Sequence, residues 1–238
     1  MLVFNKLYNS EFIAFKDCYK TCDSYCCSNF LAKSFKILNQ NRVVLPLLEQ
    51  EYLYYKSKGG VQNITQEKKE TYTLKNGKKL VLYFLYCECG GLCEPHCMRP
   101  LICRIYPYFP LVSLKGEILG FYPASLMDLF FSKKQFHPCT LVRENDTEIK
   151  EQLSKSLKPL LESPLYIFAF RALELLAKAL QNYLQNTCID ALNAQEREKF
   201  LKKLEWSLLS NKAWDNAAFK EAITQEYESV AQLYGDFL

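Results

Sequence analysis

Ten of the eleven cysteines in this 238-residue chain fall in three groups. The first is Cys18, Cys22, Cys26 and Cys27; the second is Cys87, Cys89, Cys93, Cys97 and Cys103; the third is Cys139 alone, behind His137 and Pro138. Only Cys188 stands apart. Thiolates are soft ligands for zinc, iron and iron–sulfur clusters, so short-spaced cysteines in an intracellular chain point to a metal site. The central run reads Cys87-Glu88-Cys89-Gly90-Gly91-Leu92-Cys93-Glu94-Pro95-His96-Cys97. Two glycines and a proline between the sulfurs suit a tight loop that must bend sharply to aim several ligands inward. The two histidines, His96 and His137, stand beside cysteines. Each is a candidate ligand, a candidate supporting group behind the ligands, or an exposed loop histidine.

The first group obeys a different geometry. If Cys18, Cys22 and Cys26 were helical, each four-residue step would advance about 6 Å along the axis, leaving the outer two sulfurs about 12 Å apart. One ion cannot take all three on an unbroken helix. Either the helix breaks near Ser24-Tyr25 or one of the three lies outside the coordination sphere. Cys27 points away from Cys26, so it serves a second ion, completes the first, or is a small buried side chain.

The elements that must position these sulfurs differ along the chain. The stretch through Gly60 is expected to be mostly helical, with a helix over Asn41–Lys58 that takes Pro46 in its first turn and ends at Gly59-Gly60. A hairpin follows, Thr71–Leu74 against Leu80–Phe84 around Asn76-Gly77, and its second strand runs into Cys87. A second hairpin is expected over Tyr108–Tyr122 around Lys115-Gly116, then a short helix over Ser125–Lys134. From about Asn145 onward the only glycine is Gly235, and helical periodicity takes over. Leu165, Phe168, Ala172, Leu175, Ala179 and Tyr183 form one stripe behind Ser163-Pro164; Asn193 with Glu196 caps a helix carrying Phe200, Leu204 and Leu208; Phe219, Ile223, Tyr227, Val230 and Tyr234 mark the last helix. These stripes predict a helical bundle core, with a partner-binding groove as the sharper alternative. The expected class is therefore α+β: a small cysteine-rich metal-binding core with hairpins over residues 1–144, then a C-terminal helical bundle over 145–238 packed on it.

Compartment decides between metal and disulfides. The N-terminus has no basic segment followed by an apolar one, and no run reaches the roughly 18 apolar residues of a membrane span, so a cytoplasmic, membrane-free protein with reduced thiols is expected. The net charge is +4, with +7 on residues 1–144 and −3 on the rest. No Lys/Arg run exceeds two residues, and thiolates holding divalent ions would lower the positive part further, so nucleic acid is not indicated.

The segment from Cys93 through Cys97-Met98-Arg99-Pro100-Leu101-Ile102-Cys103-Arg104-Ile105-Tyr106-Pro107-Tyr108-Phe109 resembles the C-x5-RP-x2-CR-x-YP-[FY] signature of the CxxCxxCC zinc- or iron-chelating domain family, the YkgJ-like proteins. The upstream Cys22 and Cys26-Cys27 look like that family's N-terminal cluster, while Cys87 and Cys139 fall near its intervening and late cysteines. The likeness spans residues 18–140. It implies a cysteine-liganded zinc or iron and no agreed reaction. The chain departs from the pattern in having three residues between Cys22 and Cys26, and in Cys89 and Cys97, which leave room for a larger or second site. Arg99 and Arg104 suit a supporting role, donating charge-assisted hydrogen bonds to thiolates.

The expected metal donors are thus Cys22, Cys26, Cys27, Cys87, Cys89, Cys93, Cys97, Cys103 and Cys139, supported by Arg99, Arg104, His96 and His137. No G-x-G loop follows a strand, and kinase, P-loop and Ser-His-Asp signatures are absent, so conventional nucleotide or acid–base catalysis has no motif. A metal-binding protein of unassigned activity is the leading expectation. The alternative is an iron or iron–sulfur enzyme, either redox or similar to the lysine-N-methylases of one branch near this family.

Overall fold

The computed structural model describes residues 2–9, 11–14, 18–28, 42–88, 90–91 and 93–238. Helix α1 (Leu2–Asn9) buries Phe4, Leu7 and Tyr8 on one face. A short 3-10 turn, Cys18–Lys20, leads through a tight turn into α2 (Tyr25–Ser28). The break expected near Ser24-Tyr25 as one of two alternatives is present, because Asp23 and Ser24 take left-handed backbone angles, φ +50° and +54°. The helical expectation for residues 29–41 and the side chain of Cys18 lie outside the described residues.

The helix expected over Asn41–Lys58 is half strand. Val43–Leu48 forms β1, and only Glu49–Ser57 is helical (α3), ending at Gly59 and Gly60 with φ +89° and +63°. Periodicity mistook a short apolar run for a helix start. Pro46 is tolerated because β1 is an edge strand: the antiparallel sheet has the order β1-β3-β2, with β2 (Ile64–Thr73) and β3 (Lys79–Cys87) forming the expected hairpin and Pro46 opposite Phe84. Gly77 supplies the positive φ (+85°) that closes the hairpin turn. The other edge, β2, exposes Glu67, Lys68 and Lys69, charges that discourage pairing with another chain.

After α4 (Leu101–Ile105) comes the second hairpin, β4 (Tyr108–Val112) with β5 (Ile118–Pro123). The helix expected over Ser125–Lys134 is absent; that stretch holds only 3-10 turns at Asp128–Phe130 and Lys134–Phe136. Helices α5 (Thr140–Glu144), α6 (Asp146–Ser156), α7 (Pro164–Tyr183), α8 (Ala194–Ser210) and α9 (Ala217–Tyr234) complete the chain. Pro164 occupies the first turn of α7, and Asn193 and Glu196 close a reciprocal capping box on α8. The α7 stripe is displaced from the expected one: Leu165 to Phe168 are all buried, whereas Tyr183 is exposed. The start of α7 packs on β4 and α9 at once, so it is apolar on several sides.

One core joins both parts of the chain. Leu7, Tyr55, Leu85, Ile105, Ile149, Leu153, Phe168 and Tyr227 belong to the same buried cluster, drawn from α1, α3, β3, α4, α6, α7 and α9. A second cluster seats Phe200, Leu201 and Leu204 of α8 against Leu180, Met127 and Phe130. Phe130 meets Phe200 edge-on at 5.1 Å, so the turn that carries Asp128 is anchored from its far side. No helix among the described residues is long and apolar enough to cross a membrane.

Candidate metal centre

Strand β3 lies in the middle of its sheet, paired on both sides, and its last residue is the buried Cys87. A central strand end is a rigid mount for a sulfur. The chain then turns through Gly90 and Gly91, at φ +57° and +89°. A Cβ on Gly91 would stand 2.7 Å from Ser24 Oγ and 3.1 Å from Tyr19 Cβ, so glycine is required for the approach of the two loops as well as for the angle. Ser24 Oγ donates to the Gly90 carbonyl at 2.8 Å. The left-handed Ser24 at the helix break is thus the residue that docks the N-terminal cysteines on the central loop.

This docking places Cys27 beside the central group. Its sulfur lies 3.6 Å from that of Cys26. Hydrogen bonding with Cys26 lowers the Cys27 pKa most; burial opposes it, and the Gly91 amide and the Arg99 charge lower it further, to about 7. The opposite holds at Cys103, the middle residue of α4. Its thiol is enclosed even though part of the residue reaches the surface; burial, then the nearby Cys27, Cys93 and Cys87, push it well above the ordinary range. Cys103 therefore feels the charge of three cysteines that come from three other segments.

Two arginines lie nearby. Arg99 acts on Cys27 and Cys103, and its Nε is buried with no hydrogen-bond partner among the described residues. Arg104 lies over the rings of Tyr8 and Phe12, at 5.4 and 5.3 Å; burial, then Arg99, lower its pKa. Glu51 answers from below. Its buried carboxylate accepts from the Leu101 amide at 2.8 Å, which starts α4, and from Tyr8 at 3.0 Å. Burial raises Glu51 to about 7 against the lowering effects of Leu101, Tyr8 and Arg104.

A second group adjoins the first. Cys139 is buried and rises to about 11, chiefly through burial, opposed by the Val142 and Leu141 amides and raised further by Cys22 and Asp128. Thr21 and Thr140 share a hydrogen bond at 2.7 Å, tying the neighbours of Cys22 and Cys139 together. His137 is buried beside Asp128, with Nε2 3.3 Å from Oδ1. Three of the remaining expected residues are exposed. Cys97 and His96 are exposed in the 3-10 turn His96–Met98, Cys97 within electrostatic reach of Arg104, and Cys26 is exposed. Cys89 lies outside the described residues. Cys188 lies beyond α7 and caps another turn, far in sequence from either group.

All nine cysteines with described side chains are free thiols. Among the described residues, no three His, Cys, Asp or Glu side chains are set to hold one metal ion. The donor chemistry nonetheless suits a soft cation: four thiolates on a divalent ion would carry −2, and the Arg99 guanidinium beside Cys27 and Cys103 would offset part of it. Sequence reasoning missed Asp128, Glu51, Tyr25 and Tyr106, which the fold gathers around the cysteines. Only the tyrosines carried a signal, through their places next to Cys26 and inside the Arg104–Pro107 motif. No protein-family model, curated protein or solved structure matches the chain.

Proposed function

We propose that this chain is a cysteine-ligated metal-binding protein, with zinc or iron held by Cys27, Cys87, Cys93 and Cys103 and no assigned reaction. The observation that carries the proposal is Cys103: an enclosed thiol with three further cysteines within electrostatic range and Arg99 alongside. Apolar burial alone gives no reason to bring Cys27, Cys87 and Cys93 within electrostatic range of Cys103, beside a guanidinium whose Nε has no hydrogen-bond partner among the described residues. The resemblance to the YkgJ-like family points the same way, and both belong to a reducing, cytoplasmic setting. A bound ion would supply a cross-link between α2, the end of β3, the central loop and α4, contributing directly to folding. Cys22, Cys26 and Cys139 form a neighbouring group around a different set of polar residues, and Cys89 belongs by sequence to the central loop.

The test is metal content and optical spectrum on protein purified without oxygen. Cys103→Ser, Cys93→Ser and Cys27→Ser are expected to release the ion, and Cys188→Ser to retain it. Loss from Cys188→Ser equal to that from Cys103→Ser would remove the assignment. Retention by Cys27→Ser with an unchanged spectrum would confine the site to the central group. The spectrum separates the metals, since a thiolate-bound iron or iron–sulfur centre absorbs in the visible and zinc does not.

A further inference from the structure

Asp128 is 1% exposed and makes no ion pair with Lys or Arg among the described residues. A carboxylate buried in this way is tolerated only where neutral donors replace its water. Its donors are Tyr25, whose hydroxyl reaches Oδ1 at 2.5 Å, and Tyr106, whose hydroxyl reaches Oδ2 at 2.8 Å. His137 stands against the same carboxylate, with Nε2 3.3 Å from Oδ1. The Cys139 amide donates to His137 Nδ1 at 3.1 Å, and an imidazole accepting there carries its proton on Nε2, toward Asp128. The Tyr25 ring stands edge-on to the imidazole at 5.6 Å, and Phe131 packs against it at 5.2 Å. Arg143 holds the carbonyls of His137 and Pro138 at 2.7 and 2.8 Å.

The two tyrosines and His137 have one property in common. Tyr25 immediately precedes Cys26 and Cys27 on α2, Tyr106 follows Cys103 at the end of α4, and His137 lies two residues before Cys139. We infer that Asp128 is a positioning residue for the thiol centre: its carboxylate draws Tyr25, Tyr106 and His137 to one point and thereby sets how three cysteine-bearing segments approach one another. The consequence for a bound ion rests on the metal-binding proposal, but the gathering of the segments does not. An apolar residue would seat the 3-10 turn through Phe130 equally well; only an acceptor can hold both tyrosine hydroxyls while facing the imidazole. Substituting one arm should therefore free its own segment and leave the others.

The experiment uses the full chain and compares Asp128→Asn, Tyr25→Phe and Tyr106→Phe, each close in shape to the native side chain. After removal of metal with a chelator, the alkylation rate of every cysteine is followed by mass spectrometry under conditions where circular dichroism shows native helix content. Tyr25→Phe is expected to speed alkylation of Cys27 about tenfold with Cys139 little changed, and Tyr106→Phe to do the same at Cys103. Asp128→Asn is expected to release Cys27, Cys103 and Cys139 together, with Cys188 unchanged in every variant. Zinc retention against a competing chromophoric chelator should fall by about 10- to 100-fold in Asp128→Asn. Unchanged rates in folded Asp128→Asn would overturn the inference. So would a uniform acceleration that includes Cys188, which is what general loss of stability produces. If Asp128→Asn does not fold, the two tyrosine variants decide by the same segment-by-segment pattern. A wild-type protein that takes up neither zinc nor iron, yet shows that pattern, would sink the metal-binding proposal and leave Asp128 in its role. Firm metal binding that Asp128→Asn leaves untouched, with unaltered thiol rates, would do the reverse.

Discussion

The thiol centre and the α7–α9 layer are held together by different forces. In the helical layer, stability comes from apolar side chains on regular elements: Phe168 is wholly buried, meeting Tyr227 edge-on at 5.8 Å and Phe237 at 5.9 Å, and Leu180 and Leu204 fill the second cluster. Around the cysteines the helices are one turn long, and the joining contacts are polar: Ser24 to Gly90, Thr21 to Thr140, and Tyr25, Tyr106 and His137 to Asp128. A helix of four or five residues does not hold itself in water. Such a region keeps its shape only if polar contacts or an ion tie it to the larger body. The contrast predicts that substitutions in the layer change global stability and leave the thiols in place, whereas substitutions at the centre do the opposite.

The largest effect is expected from Phe168→Ala, which should cost about 3–5 kcal/mol in chemical denaturation. Its metal content per folded chain should match wild type. Loss of metal in the folded fraction would mean that the layer and the centre are one cooperative unit.

Glu51 should give the next largest effect, and it is the place where the two regions meet electrostatically. Its folded pKa, about 7, exceeds the ordinary carboxylate value because burial penalises the charge. The folded state therefore holds a proton that the unfolded state has lost between about pH 4.5 and 7, so stability falls as pH rises through that window. The stabilisation is fully present below the unfolded value and is lost above the folded one. The loss should be on the order of 2–3 kcal/mol. Glu51→Gln, which keeps an acceptor for Leu101 and Tyr8, should flatten the profile. A wild-type curve with no fall in that window would show that Glu51 ionises in the folded protein as easily as in water.

The same contrast explains what was legible in the sequence. The α8 capping box, the Pro164 start of α7, both hairpins and the delivery of Cys87 by a strand end follow from local patterns, and local patterns are what sequence exposes. The strand at Val43–Leu48 did not follow, because its pairing with β3 is non-local and its proline argued for a helix start. Within the centre, residue type marked the cysteines, but spacing said nothing of Asp128. Its three partners lie 103, 22 and 9 positions away, with the first two distances set wholly by the fold. Tyr25 and Tyr106 read as ordinary aromatic neighbours until a common acceptor was in view.

Gly91→Ala sharpens the contrast from the centre's side. The substitution places a side chain at φ +89° and against Ser24 Oγ and Tyr19 Cβ, with an expected cost of about 1–2 kcal/mol from the backbone angle alone. The expected signature is local. Cys27 should become more reactive toward alkylation while helix content and the Cys188 rate stay as in wild type. Equal reactivity of Cys27 in the two proteins would show that the contact between the loops does not hold the N-terminal cysteines.

The smallest effect is expected at Asn193, whose side chain accepts from the Glu196 amide at 3.0 Å while the Glu196 carboxylate accepts from the Asn193 amide at 3.0 Å. Asn193→Ala should cost about 1 kcal/mol, the usual worth of such a cap. The capped helix packs through Phe200 on Phe130, and Phe130 sits in the same turn as Asp128. If the regions are separable as their contacts suggest, the loss will lower the denaturation midpoint and leave the alkylation rates of Cys27, Cys103 and Cys139 unchanged. If those rates rise in step with the loss, strain at the start of α8 reaches the cysteines through Phe130 and Asp128. The helical layer would then set the geometry of the thiol centre instead of merely supporting it.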